Sequence, residues 1–136
     1  MSEKKATEEV LLEASKSGAR LFRQNVGMGW AGKVVGRRGN LMTIQNPRPL
    51  RAGLTVGSSD IVGITPVEIT EDMVGQTIGV FTAVEVKYGR TATTEQQIRF
   101  LGMVEKLGGI SLRVKTLKEY VSGVSDWMKN KTRRSQ

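Results

Sequence analysis

Asp60, Glu85 and Lys87 are the residues whose types and spacing can do chemistry. Glu85 and Lys87 stand two apart in the apolar run IGVFTAVEVK at 78–87. In an extended strand they emerge on one face while Val84 and Val86 go to the other. A charged pair set into such a strand is costly unless something uses it. Asp60 follows the small residues Gly57, Ser58 and Ser59 and opens a second apolar strand, DIVGI at 60–64. If the two strands are neighbours, two carboxylates and an ammonium converge. Two carboxylates oppose each other unless a cation bridges them, and Mg²⁺ or Mn²⁺ takes such oxygen ligands together with waters. The backbone carbonyl of Val86 is a candidate third ligand. That set suits hydrolysis of a phosphodiester: the metal holds a phosphate oxygen and acidifies a bound water, and Lys87 orients the water or stabilises the transition-state charge.

Each residue also has a plainer reading. Glu85 and Lys87 can form an edge-strand ion pair, and a lone Asp at a strand start is commonly a turn carboxylate. The Glu-x-Lys spacing recurs at Glu3, Lys4 and Lys5, where neighbours two apart on a helix do not face each other. Composition narrows the alternatives more firmly. The chain of 136 residues has no His and no Cys, which excludes a Ser-His-Asp triad, a Cys nucleophile, a His base, a zinc finger and a disulfide framework. Catalysis is left to carboxylates, Lys, amides, hydroxyls or an oxygen-bound metal.

The formal net charge of +8 points to an anionic partner, and its distribution is uneven. Residues 1–50 and 91–136 each carry +5, whereas residues 51–90, which hold Asp60 and Glu85, carry −2. No apolar run approaches the roughly 20 residues that span a bilayer, and MSEKKATEE at the N-terminus is charged where a signal peptide is apolar. A cytoplasmic protein is expected.

The elements that must position these residues are legible in outline. Residues 2–17 read as a helix with a stripe of Thr7, Val10, Leu11 and Ala14, stopped by Gly18. Glu3 lies on that stripe, and Glu8 and Glu9 point away from it, so Glu3 is the helical carboxylate better placed to complete a metal shell. Residues 19–25 alternate as a strand. GMGWAGKVVGRRGN predicts two short strands or a flap, with turns at Gly27 to Gly32 and Arg38 to Asn40, and Pro47 and Pro49 predict a loop. A turn is expected near Glu71 and Asp72. A helix is expected over about 95–107, where Thr94 and Gln97 have capping-box spacing, followed by a strand at 110–114. A last helix begins at Thr116, which with Glu119 fits a second capping box, and its stripe of Leu117, Tyr120, Val121, Val124 and Met128 is expected to face the core. The order gives one α/β domain with a mixed sheet flanked by helices over 1–129, then a basic tail at 130–136.

GSSD at 57–60, EVK at 85–87 and TEQQ at 94–97 ahead of FLGMVEKLGG together resemble the VRR-NUC family, the virus-type replication-repair nucleases of the PD-(D/E)XK superfamily. GARLFRQNVGMGW at 18–30, NPRPLRAGLTVGSSDIVG at 46–63 and VGQTIGVFTAVEVK at 74–87 extend the similarity over about residues 3–115, in the manner of the short phage and prophage members. The resemblance implies a restriction-endonuclease-like core and Mg²⁺- or Mn²⁺-dependent cleavage of DNA. Asp60 matches the motif Asp, Glu85 and Lys87 the Glu-x-Lys pair, and Gln97 the Gln that opens the next helix. The family's early Glu falls on Glu3. Thr7 stands where the family has a downstream Gln, and Glu95 where it has a Pro. Gln97 keeps two readings, a contact to the attacking water and a capping residue bonded to backbone.

Lys33, Arg37, Arg38, Arg48 and Arg51 are the expected phosphate contacts, positioning DNA without reading its sequence. Trp30 can stack on an exposed base, or pack against the sheet or a dimer partner. The function expected is a metal-dependent, structure-selective DNA endonuclease working as a homodimer, similar to a Holliday-junction resolvase. The rivals are a monomeric flap or nicking nuclease, a non-catalytic DNA-binding module and an RNA-binding protein. The last is disfavoured by an aromatic content of 5%.

Overall fold

A computed structural model describes residues 2–130. The expected basic tail therefore lies, but for Asn130, outside the described residues. The described residues divide into two compact units, one formed by residues 2–20 and 63–130, the other by residues 21–62.

The first unit opens with helix α1, Glu3–Lys16. Ser2 caps it by accepting from the Lys5 N–H, and Gly18 ends it at φ +87°, a left-handed conformation that L side chains avoid. Thr7, Leu11 and Ala14 of the expected stripe are half-buried, whereas Val10 is exposed. The heart of this unit is a strand–helix–strand motif: β5, Thr82–Val86; α2, Glu95–Lys106; and β6, Ile110–Val114, which pairs parallel to β5. Thr94 and Gln97 make the reciprocal bonds of a capping box. Gly109 lets the chain turn tightly into β6, because a Cβ there would lie 2.7 Å from both the Phe81 carbonyl oxygen and Val104 Cγ1. Helix α3, Leu117–Lys129, packs on β6 with Gly123 against Leu112. Val104, Ile110 and Val114 are the buried hydrophobics of this motif.

Helix α3 departs from expectation. Leu117, Tyr120, Val121 and Met128 are exposed, and the half-buried positions are Gly123, Val124, Ser125 and Trp127. The helix contacts β6 and so covers a narrow strip, which small residues meet most closely. Its second capping box is also modified: Glu119 reaches past Thr116 to accept from the Lys115 N–H.

The second unit is dominated by a hairpin of two 12-residue strands, β2, Gly27–Arg38, and β3, Leu41–Ala52. The turn expected at 38–40 is present, with Gly39 at φ +58°. Two other expectations fail. Gly27, Gly29 and Gly32 lie inside β2, and Pro47 and Pro49 lie inside β3. Each strand has one partner, so a proline can stand where no ladder donor is needed. Pro47 falls at a register shift beside Asn46, which adopts φ +50°, and Gly32 accommodates it: a Cβ there would come within 2.5 Å of Ile44 Cγ2.

Strand β1, Arg20–Arg23, pairs with β4, Ile61–Ile64. The division of the chain falls within these two strands. The expected single mixed sheet is thus replaced by three two-stranded sheets, β1–β4, β2–β3 and β5–β6. A hairpin pairs with its nearest neighbour in sequence, at little cost in loop closure, and its long ladder is complete without the others. The turn expected near Glu71 is a 3-10 turn, Glu71–Met73. Among the described residues no helix is long and apolar enough to cross a membrane.

Candidate functional site

The pleat of β5 puts Glu85 and Lys87 on the face covered by α2, and Val84 and Val86 on the opposite, exposed face. Lys87, just beyond the end of β5, is the one buried charged residue among those described, at 8% exposure. An ammonium this deep must be paired and hydrogen-bonded. It is both: Nζ lies 3.0 Å from Glu85 Oε1 and donates to Gln97 Oε1 at 2.9 Å. Gln97 closes the triangle by donating from Nε2 to Glu85 Oε1 at 2.6 Å.

Gln97 is a capping residue, as one of its two readings expected, and it also holds the charged pair. Its Oε1 accepts from the Thr94 N–H at 3.0 Å as well as from Lys87, so the cap that starts α2 also grips the charged pair. The helix start and the site are therefore one hydrogen-bonded unit. A cleft of about 380 Å³ opens on one side, lined by Glu85, Gln96, Gln97, Phe100 and Leu101 of α2 and β5. A second, also about 380 Å³, has Lys87 in its wall together with Arg113 and Lys115. Glu85 belongs to the lining of the first and Lys87 to that of the second.

Asp60 is exposed and immediately precedes β4 in the other unit. Strand β4 pairs with β1 and not with β5, so the neighbouring-strand arrangement expected to bring Asp60 beside Glu85 is absent from the sheet ladders. The loop that carries Asp60 is instead organised by Gln24, which the sequence reading did not single out. Its backbone N–H donates to the Asp60 carbonyl at 2.9 Å. Its side chain donates to Ser58 Oγ at 2.8 Å and to the Ser59 carbonyl, and accepts from the Leu54 N–H at 3.1 Å. A polar side chain just after a short strand was the available signal, but nothing in the spacing said which distant loop it would tie down.

Glu3 is exposed in the first turn of α1 and is not among the partners of Glu85, Lys87 or Gln97. The oxygens that β5 supplies, the Glu85 carboxylate and the Val86 carbonyl, are hard donors of the type that suits Mg²⁺ or Mn²⁺. Among the described residues no three of His, Cys, Asp and Glu gather at one point, so these two oxygens alone do not make a metal shell.

Lys33, Arg37, Arg38, Arg48 and Arg51 are all exposed on the β2–β3 hairpin. They do not form one stripe. Arg48 sits opposite Ala31 and Arg51 opposite Met28, which places them on opposite faces, and the adjacent Arg37 and Arg38 also diverge. Residues 21–62 contain six cations and one carboxylate, Asp60, so the hairpin is cationic all round. Trp30 pairs across the hairpin with Pro49 and stays 60% exposed. Comparison with family models, curated proteins and solved structures returned no match.

Proposed function

We propose that this protein is a metal-dependent DNA endonuclease of the VRR-NUC type, with a restriction-endonuclease-like arrangement of its catalytic residues and a structure-selective, resolvase-like action as a homodimer. The observation that carries the reading is the buried Lys87, held by Glu85 and Gln97 at the end of a parallel strand pair. Burying a lysine beside a clefted surface has little structural benefit, since an apolar residue packs there at lower cost. A cation fixed in position is useful where a phosphate gains charge during reaction.

In this reading Lys87 supplies that fixed charge and holds a proton at Nζ close to the reacting phosphate. Gln97 keeps Nζ oriented and turns the Glu85 carboxylate. Glu85 and the Val86 carbonyl are the oxygens that would hold Mg²⁺ or Mn²⁺, with Glu3 a further candidate, and Asp60 enters as the residue that matches the motif Asp of the VRR-NUC family. The metal, when bound, polarises the phosphate and acidifies an attacking water. Gln24 positions the segment bearing Asp60, and the cationic hairpin attracts the DNA backbone irrespective of sequence.

A second reading, a DNA-binding module without catalysis, is favoured by two observations: β4 and β5 lie in separate sheets, and among the described residues no three-acid group is assembled. One assay separates the two. Labelled four-way junction, 5′ flap and linear duplex are incubated with the protein in Mn²⁺ or in EDTA. The nuclease cuts in Mn²⁺ alone, and Lys87→Ala and Asp60→Ala each bind but do not cut. Binding without cleavage by the wild type establishes the module, and undiminished cleavage by either variant removes the catalytic assignment. Paired symmetric nicks on the junction identify the dimeric resolvase, whereas flap-limited cutting identifies a monomeric repair nuclease.

A further inference from the structure

The cleft walled by Lys87 is open to a different ligand group from the one a metal centre handles. Its lining comes from three places: the loop after β5 with Thr91, Ala92 and Thr93, the end of β6 with Arg113 and Val114, and the entry to α3 with Lys115 and Glu119. Three cations face one carboxylate. That carboxylate, Glu119, is engaged by the Lys115 backbone N–H. Arg113 is paired in register with Glu85, so its side chain leaves β6 on the same face as Glu85 and Lys87. Its Nη1 donates to Thr93 Oγ1 at 3.1 Å, which anchors one corner of the guanidinium and uses one of its five N–H donors. Thr91 Oγ1 donates to the Tyr88 carbonyl at 2.9 Å, which folds the loop against itself. At about 380 Å³ the space is ample for a tetrahedral oxyanion and its immediate substituents.

We propose that this cleft is a phosphate-binding site, in which Arg113 and Lys115 hold a phosphate group adjacent to Lys87. Arg113 provides the planar fork that matches a tetrahedral anion, and Lys115, two residues further along, adds a point charge to the same lining. Binding of phosphate stands on the cleft alone. That the group is a neighbour of the scissile phosphate rests on the nuclease reading above. The chemistry is shared by a phosphodiester inside a strand and a phosphomonoester at its end, and the two differ in whether a terminal phosphate raises affinity.

The test uses the full chain and does not depend on cleavage. Backbone amide NMR follows titration with inorganic phosphate and then, in EDTA, with a short single-stranded oligonucleotide bearing a 5′-hydroxyl or a 5′-phosphate. With inorganic phosphate, wild type is expected to show saturable shifts confined to residues 87, 91–94 and 113–119, and the oligonucleotides are expected to shift the same residues together with the β2–β3 hairpin. Arg113→Gln weakens binding about tenfold, the worth of one charge-assisted hydrogen bond. Lys115→Gln, an independent variant of an exposed residue, weakens it as well. Arg99→Gln removes an exposed cation of α2 paired with Glu95 and leaves binding unchanged. A 5′-phosphate that tightens binding through Arg113 identifies the strand terminus, and equal binding of both oligonucleotides through Arg113 identifies an internal phosphodiester. Shifts that do not saturate, or an equal loss in Arg113→Gln and Arg99→Gln, overturn the site. Absence of cleavage in the separate Mn²⁺ assay overturns the nuclease reading and leaves this one standing.

Discussion

At the scale of single residues, Gln97 is where structure and chemistry meet. Its side chain accepts from a helix-capping N–H and from a buried ammonium, and donates to the Glu85 carboxylate paired with that ammonium. Thr94 shares the first of these tasks and not the others, since its Oγ1 accepts from the Gln97 N–H and stops there. The two therefore separate by substitution. Thr94→Ala is expected to lower stability by about 1 kcal/mol, the usual worth of an N-cap, and, on the proposed nuclease reading, to leave DNA cleavage within about twofold of wild type. Gln97→Ala is expected to cost about 1–3 kcal/mol, because a buried charge loses a partner, and to lower cleavage at least about tenfold. Urea denaturation and single-turnover cleavage measure the two effects. Parallel losses of activity in both variants mean that Gln97 acts as a cap alone. The types and spacing of Glu85, Lys87 and Gln97 were readable from the sequence because all three depend on local geometry: strand alternation for the first two, a helical N-terminus for the third. Gln24 was not readable, because its partners lie 30 to 35 residues away along the chain.

Among the elements, the strand–helix–strand motif of β5, α2 and β6 carries the best-packed part of the molecule, and its glycines show where the tolerance ends. At Gly109 an added Cβ meets backbone, the Phe81 carbonyl oxygen, and the wholly buried Val104. At Gly123 it meets the end of a Leu112 side chain, which can rotate, and an alanine within α3 gains helix propensity. Gly109→Ala is thus expected to destabilise the protein by about 1–3 kcal/mol, as overpacking does, while Gly123→Ala stays within about 1 kcal/mol of wild type. Thermal unfolding followed by circular dichroism checks the order, and a Gly123→Ala variant the less stable of the two contradicts it. Element identity was well predicted wherever a cap or glycine punctuated an apolar pattern, as in α1, α2, β6 and the turn at Gly39. It failed where punctuation was misread. The glycines of β2 and the prolines of β3 suggested turns, yet a two-stranded ribbon tolerates both because each strand has a solvent-facing edge.

For the whole molecule, charge is the property with the furthest reach. The described hairpin carries Lys33, Arg37, Arg38, Arg48 and Arg51 and no carboxylate. A surface that neutralises phosphates releases counterions, so binding weakens with salt at a slope of about −0.9 per phosphate contact on duplex DNA. Replacing Arg37 and Arg38 with Gln together is expected to reduce the magnitude of that slope by about 2 and to weaken binding of unrelated sequences equally. Fluorescence anisotropy across a salt series tests this, and an unchanged slope excludes the hairpin tip from the DNA surface. The sequence by itself determined the chemistry available to this protein: no His, no Cys, a strand-borne Glu and Lys on one face, and a cationic segment before Asp60. Composition and local periodicity suffice for such statements, since they require no knowledge of what packs on what. The tertiary structure alone decided that Lys87 is buried with Gln97 and Glu85 as its partners, that Arg113 and Lys115 share a cleft with it, and that β4 pairs with β1 and not with β5. Those are contacts between separate elements of the fold. They are set by which strand edges and helix faces meet, a competition among pairings that no local pattern encodes.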